Sequence, residues 1–384
     1  MNPVVLYGCA AWDQARLPRD EFEERIRLLR ERMAAAGLYG LILYGDSCRY
    51  AKLCYVTNYI PKLGWAVAWI PSSGDPVLLA GVLGTRELAE VRMMTWLEDV
   101  RMAAAADLGV KLGELAAAPA PGESSGDVRV SVGLCGSESM KRSLLESVLS
   151  GFPGGVTEAD GLMDGLMRRK RPRELAVIRR ACAILSSAMA SLKGEYKRGG
   201  GALDAAAEAE RTARALGAHD VRVMFSLDGG RTMQPYENES AASVRPGPFA
   251  VYLAVEYLGY WAEGMLTIGG ENRAVNRRAA ELLRRLSEDL RPGTKIGELV
   301  GEIEKAAEPF RMHPVLEGSW GCGIGLGLGE TPALNPQSGR RAESGDIYTL
   351  RVGLSDVERN EHVLVSRMIR VGDGGNETLW EGRP

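Results

Sequence analysis

The sequence predicts a two-domain protein of the α/β class (α+β in its second half), and three observations carry that expectation. The chain has 384 residues, enough for two domains with separate cores. Helix-period and strand-period segments alternate along it, the pattern of layered α/β architecture. A turn-rich stretch, Gly151-Phe152-Pro153-Gly154-Gly155, marks a boundary, so the expected domains are residues 1–155 and 156–384.

The elements follow in order. Phe22, Ile26, Leu29, Met33 and Ala36 recur at three- and four-residue spacing, which predicts an amphipathic helix ended by Gly37. Tyr39 to Tyr44 reads as a short buried strand. Leu53 to Thr57, Ala66 to Ile70 and Pro76 to Leu79 continue the strand-rich pattern, broken by turns such as Ser72-Ser73-Gly74-Asp75. A helix over 85–92, a loop over 116–126, a strand over 128–134 and a helix over 139–149 complete this half. Pro172 suits the first turn of a long helix that opens the second half. Helices over 202–216, 273–290 and 296–308 then interleave with strands over 250–255, 261–268, 347–352 and 363–371.

Composition excludes several classes. Charged residues make up 25% and apolar ones 45%, values of an ordinary globular chain. A net charge of −3 gives no reason to expect nucleic acid or an anionic membrane surface as partner. No apolar run reaches the roughly 18 residues of a membrane span, and Met1 to Leu6 lacks the basic start of a signal peptide. The six cysteines show no C-x-x-C spacing, so reduced thiols in a cytoplasmic protein are expected. Only His219, His313 and His362 supply imidazoles, which limits metal and general-base chemistry from the start.

The most informative stretch is Gly321-Cys322-Gly323-Ile324-Gly325-Leu326-Gly327-Leu328-Gly329-Glu330-Thr331-Pro332. It resembles the Gly-His-Gly-Ile-Gly-Leu…His-Glu-x-Pro signature of the pita-bread metallopeptidases, the family of creatinase, prolidase, aminopeptidase P and methionine aminopeptidase. Cys322 and Gly329 stand where that signature carries histidines. Other anchors occur in the family's order: the Arg168 to Glu174 linker, Gly259-Tyr260, Gly345, and Glu361 before Val363-Leu364-Val365. The resemblance runs from about Glu21 to Gly372. It implies an N-terminal creatinase/prolidase-like domain followed by a C-terminal pita-bread domain.

The same resemblance implies two metal ions held by two Asp, one His and two Glu. Their positions fall here on Tyr252, Glu263, Cys322, Arg351 and Glu361, and a substrate-side histidine of creatinase-like members falls on Tyr236. Two divalent cations need several carboxylates to offset their charge. Arg351 instead brings a fixed positive charge. The expectation is therefore no metal centre and no cofactor, a single zinc on Glu263, Cys322 and Glu361 being the remaining metal option.

Position by position, the implied pocket contains Tyr236, Tyr252, Glu263, Cys322, Glu330, Arg351 and Glu361. Catalytic roles are assigned to Glu263, Glu361, Cys322 and Tyr236. Two adjacent carboxylates would split into acid and base, and a thiol near a cation has a lowered pKa. Against this stand a structural ion pair, tyrosines that plug the vacated metal cavity, and a cysteine that is simply a small packed residue. Substrate binding is assigned to Tyr252, Arg351, His313, Glu330, Trp320 and Arg49. Arg351 would grip a carboxylate bidentately, and Trp320 would wall the pocket unless it is a core tryptophan. Arg49 lies in a segment that resembles the region covering the partner's pocket in creatinase-type dimers, so a homodimer is expected. Three functions follow: a metal-independent, creatinase-like enzyme acting on a small polar C–N compound; a non-catalytic relative that binds a small molecule or protein; and a metal-dependent Xaa-Pro peptidase.

Overall fold

The computed structural model describes residues 8, 10–117, 131–226, 231–235, 248–269 and 273–382. The chain divides into two compact units, Met1–Met167 and Arg168–Pro384.

The first unit runs α1 (Arg19–Ala35), β1 (Gly40–Asp46), α2 (Ala51–Thr57), β2 (Trp65–Pro71), β3 (Val77–Ala80), α3 (Thr85–Met94), β4 (Asp99–Met102), α4 (Leu108–Ala117), β5 (Val132–Cys135), α5 (Arg142–Gly151), β6 (Thr157–Glu158) and α6 (Asp160–Arg168). Its sheet has the order β4-β3-β2-β1-β5-β6 among the described residues. β1 pairs antiparallel with β2 and parallel with β5. Gly151 closes α5, and the chain stays in this unit through β6, which pairs with β5.

One expected strand is a helix. Leu53 to Thr57 forms most of α2, closed by Asn58 in the left-handed region at φ 62°. Leu53, Cys54, Tyr55, Val56 and Thr57 are all buried, and a short continuous apolar run does not separate a buried strand from a buried helix. The expected loop over 116–126 lies outside the described residues beyond Ala117, as does the start of the expected 128–134 strand.

The second unit begins with α7 (Pro172–Arg198) and α8 (Ala202–Ala215), then β7 (Asp220–Phe225), β8 (Gln234–Pro235), β9 (Phe249–Tyr257) and β10 (Tyr260–Ile268). Next come α9 (Ala274–Asp289), α10 (Ile296–Ala307), β11 (Arg311–Met312), β12 (Gly321–Gly323), β13 (Glu330–Ala333), β14 (Ile347–Asp356), β15 (Glu361–Arg370) and β16 (Glu377–Glu381). Among the described residues these strands form one ten-stranded sheet of order β13-β12-β14-β15-β10-β9-β7-β8, with β11 on β14 and β16 on β15. α7 is long and apolar enough to cross a membrane by length and composition, contrary to the expectation of no such run; 56% of its most apolar window is buried inside the protein.

Helix packing decides which sheet face is available. Val275, Leu282 and Leu286 of α9 and Ile296, Val300 and Ile303 of α10 share a core with Tyr348, Leu350, Val352 and Leu354 of β14. Because strand side chains alternate, Thr349 and Arg351 leave β14 on the other face. The β9–β10 hairpin turns at Leu258 and Gly259, both with positive φ (51° and 84°), the geometry of a two-residue type I′ turn. That turn sets a register in which Tyr252 faces Met265 and Ala254 faces Glu263. Gly321 is required by geometry as well: at φ 136° a Cβ there would lie 1.9 Å from the Thr349 carbonyl oxygen.

Candidate functional site

β9, β10 and β14 bring Tyr252, Glu263, Thr349 and Arg351 together. Tyr252 and Glu263 are diagonal neighbours in the hairpin, close enough for long side chains to touch. The Tyr252 hydroxyl donates to Glu263 Oε2 at 2.9 Å. Glu263 Oε1 accepts from Thr349 Oγ1 at 2.7 Å and from Arg351 Nε at 2.7 Å. Glu263 is 1% exposed and Arg351 20%. A buried carboxylate with three donors, one of them cationic, is a satisfied group. The terminal amino groups of Arg351 have no hydrogen-bond partner among the described residues.

β10 and β15 are splayed beside this cluster. They pair at Leu266 and Val365. Beyond that point Ser366 Oγ accepts from Met265 N at 2.6 Å, and Met368 Sδ accepts from Glu263 N at 3.4 Å. Side chains thus take over ladder positions that carbonyls normally fill, which lets Arg351 and Thr349 reach from β14 to Glu263 on β10.

The electrostatics follow from burial and this ion pair. Burial, then the Glu263 charge, raise the Tyr252 phenol well above its ordinary value, with Arg351 opposing. Burial works against the Arg351 charge, but the adjacent Glu263 carboxylate outweighs it and holds the guanidinium above its ordinary pKa. The Cys322 thiol is pushed up to about 11, by burial first, with Arg351 opposing. This corrects the expected activated thiol: the cation is present, but desolvation of the thiolate is the larger effect. The Cys322 sulfur lies 3.6 Å from the Leu328 carbonyl oxygen within its own turn.

Two further expected site residues lie elsewhere. Glu361 faces Asp356 across the β14–β15 ladder, whereas Arg351 faces Ser366. Five strand residues separate Glu361 from Ser366, roughly 17 Å, so Glu361 does not join Glu263 as a second carboxylate. Trp320 is fully buried in the helix-side core, and its indole N–H donates to Glu304 at 3.1 Å; it is a core tryptophan and not a pocket wall.

His313 is also fully buried. Its Nδ1 accepts from Val315 N at 3.1 Å, and its ring meets His362 edge-on at 5.4 Å between centroids. His362 Nδ1 lies 2.9 Å from Ser355 Oγ. Arg49 belongs to the first unit and pairs with Glu138 at 3.3 Å in solvent. Tyr236 lies outside the described residues.

Glu330 is structural. Its Oε1 accepts from Gly327 N at 3.1 Å and its Oε2 from Lys170 Nζ at 2.5 Å. This gives the Arg168–Glu174 linker a mechanical meaning. Arg168 grips Asp346 bidentately at 2.9 and 2.7 Å, and Lys170 ties down the glycine-rich turn. Glu174 caps α7 through Arg171 N at 3.0 Å and accepts from the Tyr260 hydroxyl at 3.0 Å. The linker thereby reaches the turn before β14, the glycine-rich turn and the β9–β10 hairpin, the three places that set the site. Sequence reasoning missed Thr349 and Lys170 as participants. Lys170 lay inside the quoted linker, and Thr349 stands two residues before Arg351 on the same strand face.

The donor set does not fit two divalent cations. Such a centre takes several carboxylates or imidazoles. Among the described residues no three His, Cys, Asp or Glu side chains gather into such a group, and the central carboxylate, Glu263, is already engaged by a guanidinium.

The sequence profile of metallopeptidase family M24 matches residues 176–374. No curated protein matches the chain by sequence. Among solved structures, the chain is similar to a Xaa-Pro dipeptidase from Bacillus anthracis, with TM-score 0.71, 18% identity, and 94% of this chain and 98% of that one covered. It is similar to an X-Pro aminopeptidase from Thermotoga maritima, with TM-score 0.73, 17% identity and coverage of 94% and 98%. A prolidase from Thermococcus sibiricus superimposes with TM-score 0.74 at 16% identity, over 94% of this chain and 97% of that one. At these identities the likeness is one of fold.

Proposed function

The chain belongs to metallopeptidase family M24, and from that premise we propose that it is a metal-independent member which binds a small polar C–N compound through a carboxylate group. The carrying observation is the Glu263–Arg351 ion pair at 2.7 Å. By the family resemblance Arg351 stands at the position of a bridging carboxylate, and its pairing with Glu263 through Nε leaves its terminal edge for a ligand. Arg351 is pinned at Nε by Glu263, so little side-chain freedom is lost when its remaining donors meet a carboxylate.

The proposed creatinase-like chemistry is C–N bond hydrolysis without metal. Tyr252 is kept as a neutral phenol by burial and by Glu263, so in this reading its proton stays on the hydrogen bond to Glu263 Oε2 and the phenol does not serve as base. Cys322 is held as a neutral thiol, which removes it as a nucleophile near neutral pH. Glu263 keeps Tyr252 and Arg351 in place.

A second reading, a ligand-binding member without catalysis, is favoured by one observation. All three donors around Glu263 are satisfied by it, so the carboxylate is not poised to take a proton from water. A homodimer and a cytoplasmic location also belong to the proposal; the free state of Cys48, Cys54, Cys135, Cys182 and Cys322 suits a reducing compartment.

The test pairs two assays on the purified protein. N-acyl, N-carbamoyl and N-amidino amino acids are offered with chelator present, and binding and amine release are both followed. Binding with hydrolysis supports the enzyme, and binding alone supports the second reading. Hydrolysis of Xaa-Pro dipeptides that the chelator abolishes contradicts both.

A further inference from the structure

The flank of the site opposite Arg351 carries a second guanidinium. Arg222 of β7 stands in register with Ala254 of β9, which faces Glu263 of β10, so all three share one sheet face. The Arg222 guanidinium lies 4.6 Å from the centre of the Trp261 ring, within cation–π range. Trp261 and Glu263 are two residues apart on β10 and share a face, a spacing of about 7 Å. Arg351 reaches Glu263 from β14, and Arg222 reaches Trp261 from β7. The two cations therefore converge on the same strand from opposite sides, with Tyr252 beside both.

The acidic groups against these cations are known. Asp220 Oδ2 lies 3.4 Å from Arg222 Nε, a weak contact, and Glu263 holds Arg351 Nε at 2.7 Å. Each carboxylate takes a Nε edge. The terminal amino groups of both arginines lack hydrogen-bond partners among the described residues. Those terminal edges present the paired N–H geometry that suits carboxylates.

Building on the carboxylate-anchor reading above, we propose that the ligand is a short dicarboxylate: Arg351 takes one carboxylate and Arg222 takes the other, across the Tyr252 side chain, whose hydroxyl stays engaged with Glu263. The residues on which the two arginines rest, Trp261 and Glu263, are about 7 Å apart along β10, which directs the choice to short dicarboxylates with two or three carbons between the carboxylates, as in derivatives of acidic amino acids. Arg222 is then a specificity residue. It is 54% exposed, so it can be replaced without opening the core.

The experiment is calorimetric titration of the whole protein at low ionic strength with succinate, glutarate and butyrate as probes. Succinate or glutarate is expected to bind about tenfold or more tighter than butyrate. Arg222→Ala should bring the dicarboxylates down to the butyrate level and leave butyrate unchanged, with Arg222→Lys falling between. Dicarboxylates no tighter than butyrate, or unaffected by Arg222→Ala, overturn this inference while the Arg351 anchor stands. Failure of every probe to bind overturns the anchor as well.

Discussion

Arg351 Nε stands 2.7 Å from Glu263 Oε1, a contact that joins β14 to β10 across the intervening β15. Both groups are largely removed from water, so the pair is held by mutual need. Truncating one partner leaves a buried charge uncompensated, which costs more than the pair itself contributes. Arg351→Ala should therefore lose on the order of 3 kcal/mol in urea unfolding, and Arg351→Met with Glu263→Gln should recover most of that. Additive losses in the double variant would show that the two side chains do not act as a unit.

Cys322 should behave as a buried neutral thiol. Its folded pKa is pushed up to about 11, above that of a free thiol, so the folded state holds its proton more tightly. The associated stability is fully present below the unfolded pKa of about 8.5 and is lost as pH rises through the folded value. Cys322→Ala should flatten the alkaline fall in unfolding free energy between roughly pH 9 and 11. Alkylation of Cys322 at pH 7, at a rate like that of exposed Cys48, would contradict this.

Lys170 is 4% exposed and Glu330 12%, and their contact fastens the glycine-rich turn to the start of α7. Lys170→Met should expose amides over 325–329 to hydrogen exchange while protection in α9 and α10 stays unchanged. A cost of about 3 kcal/mol accompanies the unpaired carboxylate, and Lys170→Met with Glu330→Gln should recover much of it. Unchanged exchange in the turn would remove the fastening role.

Glu361 makes the converse case. It lies far along β15 from the Arg351–Ser366 rung, so Glu361→Gln should change stability by no more than about 0.5 kcal/mol and leave carboxylate binding unaltered. A large loss of binding would return Glu361 to the site.

These residues also show what was legible in the sequence. The glycine frame of 321–329, the linker and the Gly259-Tyr260 turn were readable because backbone geometry and capping demand particular residues at particular spacings. Tyr252 and Glu263 follow by counting from the Gly259-Tyr260 turn, since hairpin register propagates two residues at a time, and Arg351 follows from its place on the strand after Gly345. Glu361 is the exception: the resemblance rests there on a Glu ahead of Val363-Leu364-Val365, whereas the β14–β15 register sets it opposite Asp356, five residues from the Arg351–Ser366 rung. The Cys322 thiol is shifted up, opposite to the expected direction. A sequence reveals the charge nearby, but the larger effect, desolvation, needs packing to be known. Leu53 to Thr57 went to the wrong element for a related reason, an apolar run with no visible period.

The most direct test of the central claim is elemental analysis of the purified protein after dialysis against manganese and zinc, paired with thermal unfolding in the same buffers. The Glu263–Arg351 pair predicts metal well below one equivalent per chain, an unchanged melting temperature on adding either ion, and no effect of chelator. Two tightly held ions per chain, with a melting temperature that rises as they bind, would contradict it and restore a dinuclear peptidase centre.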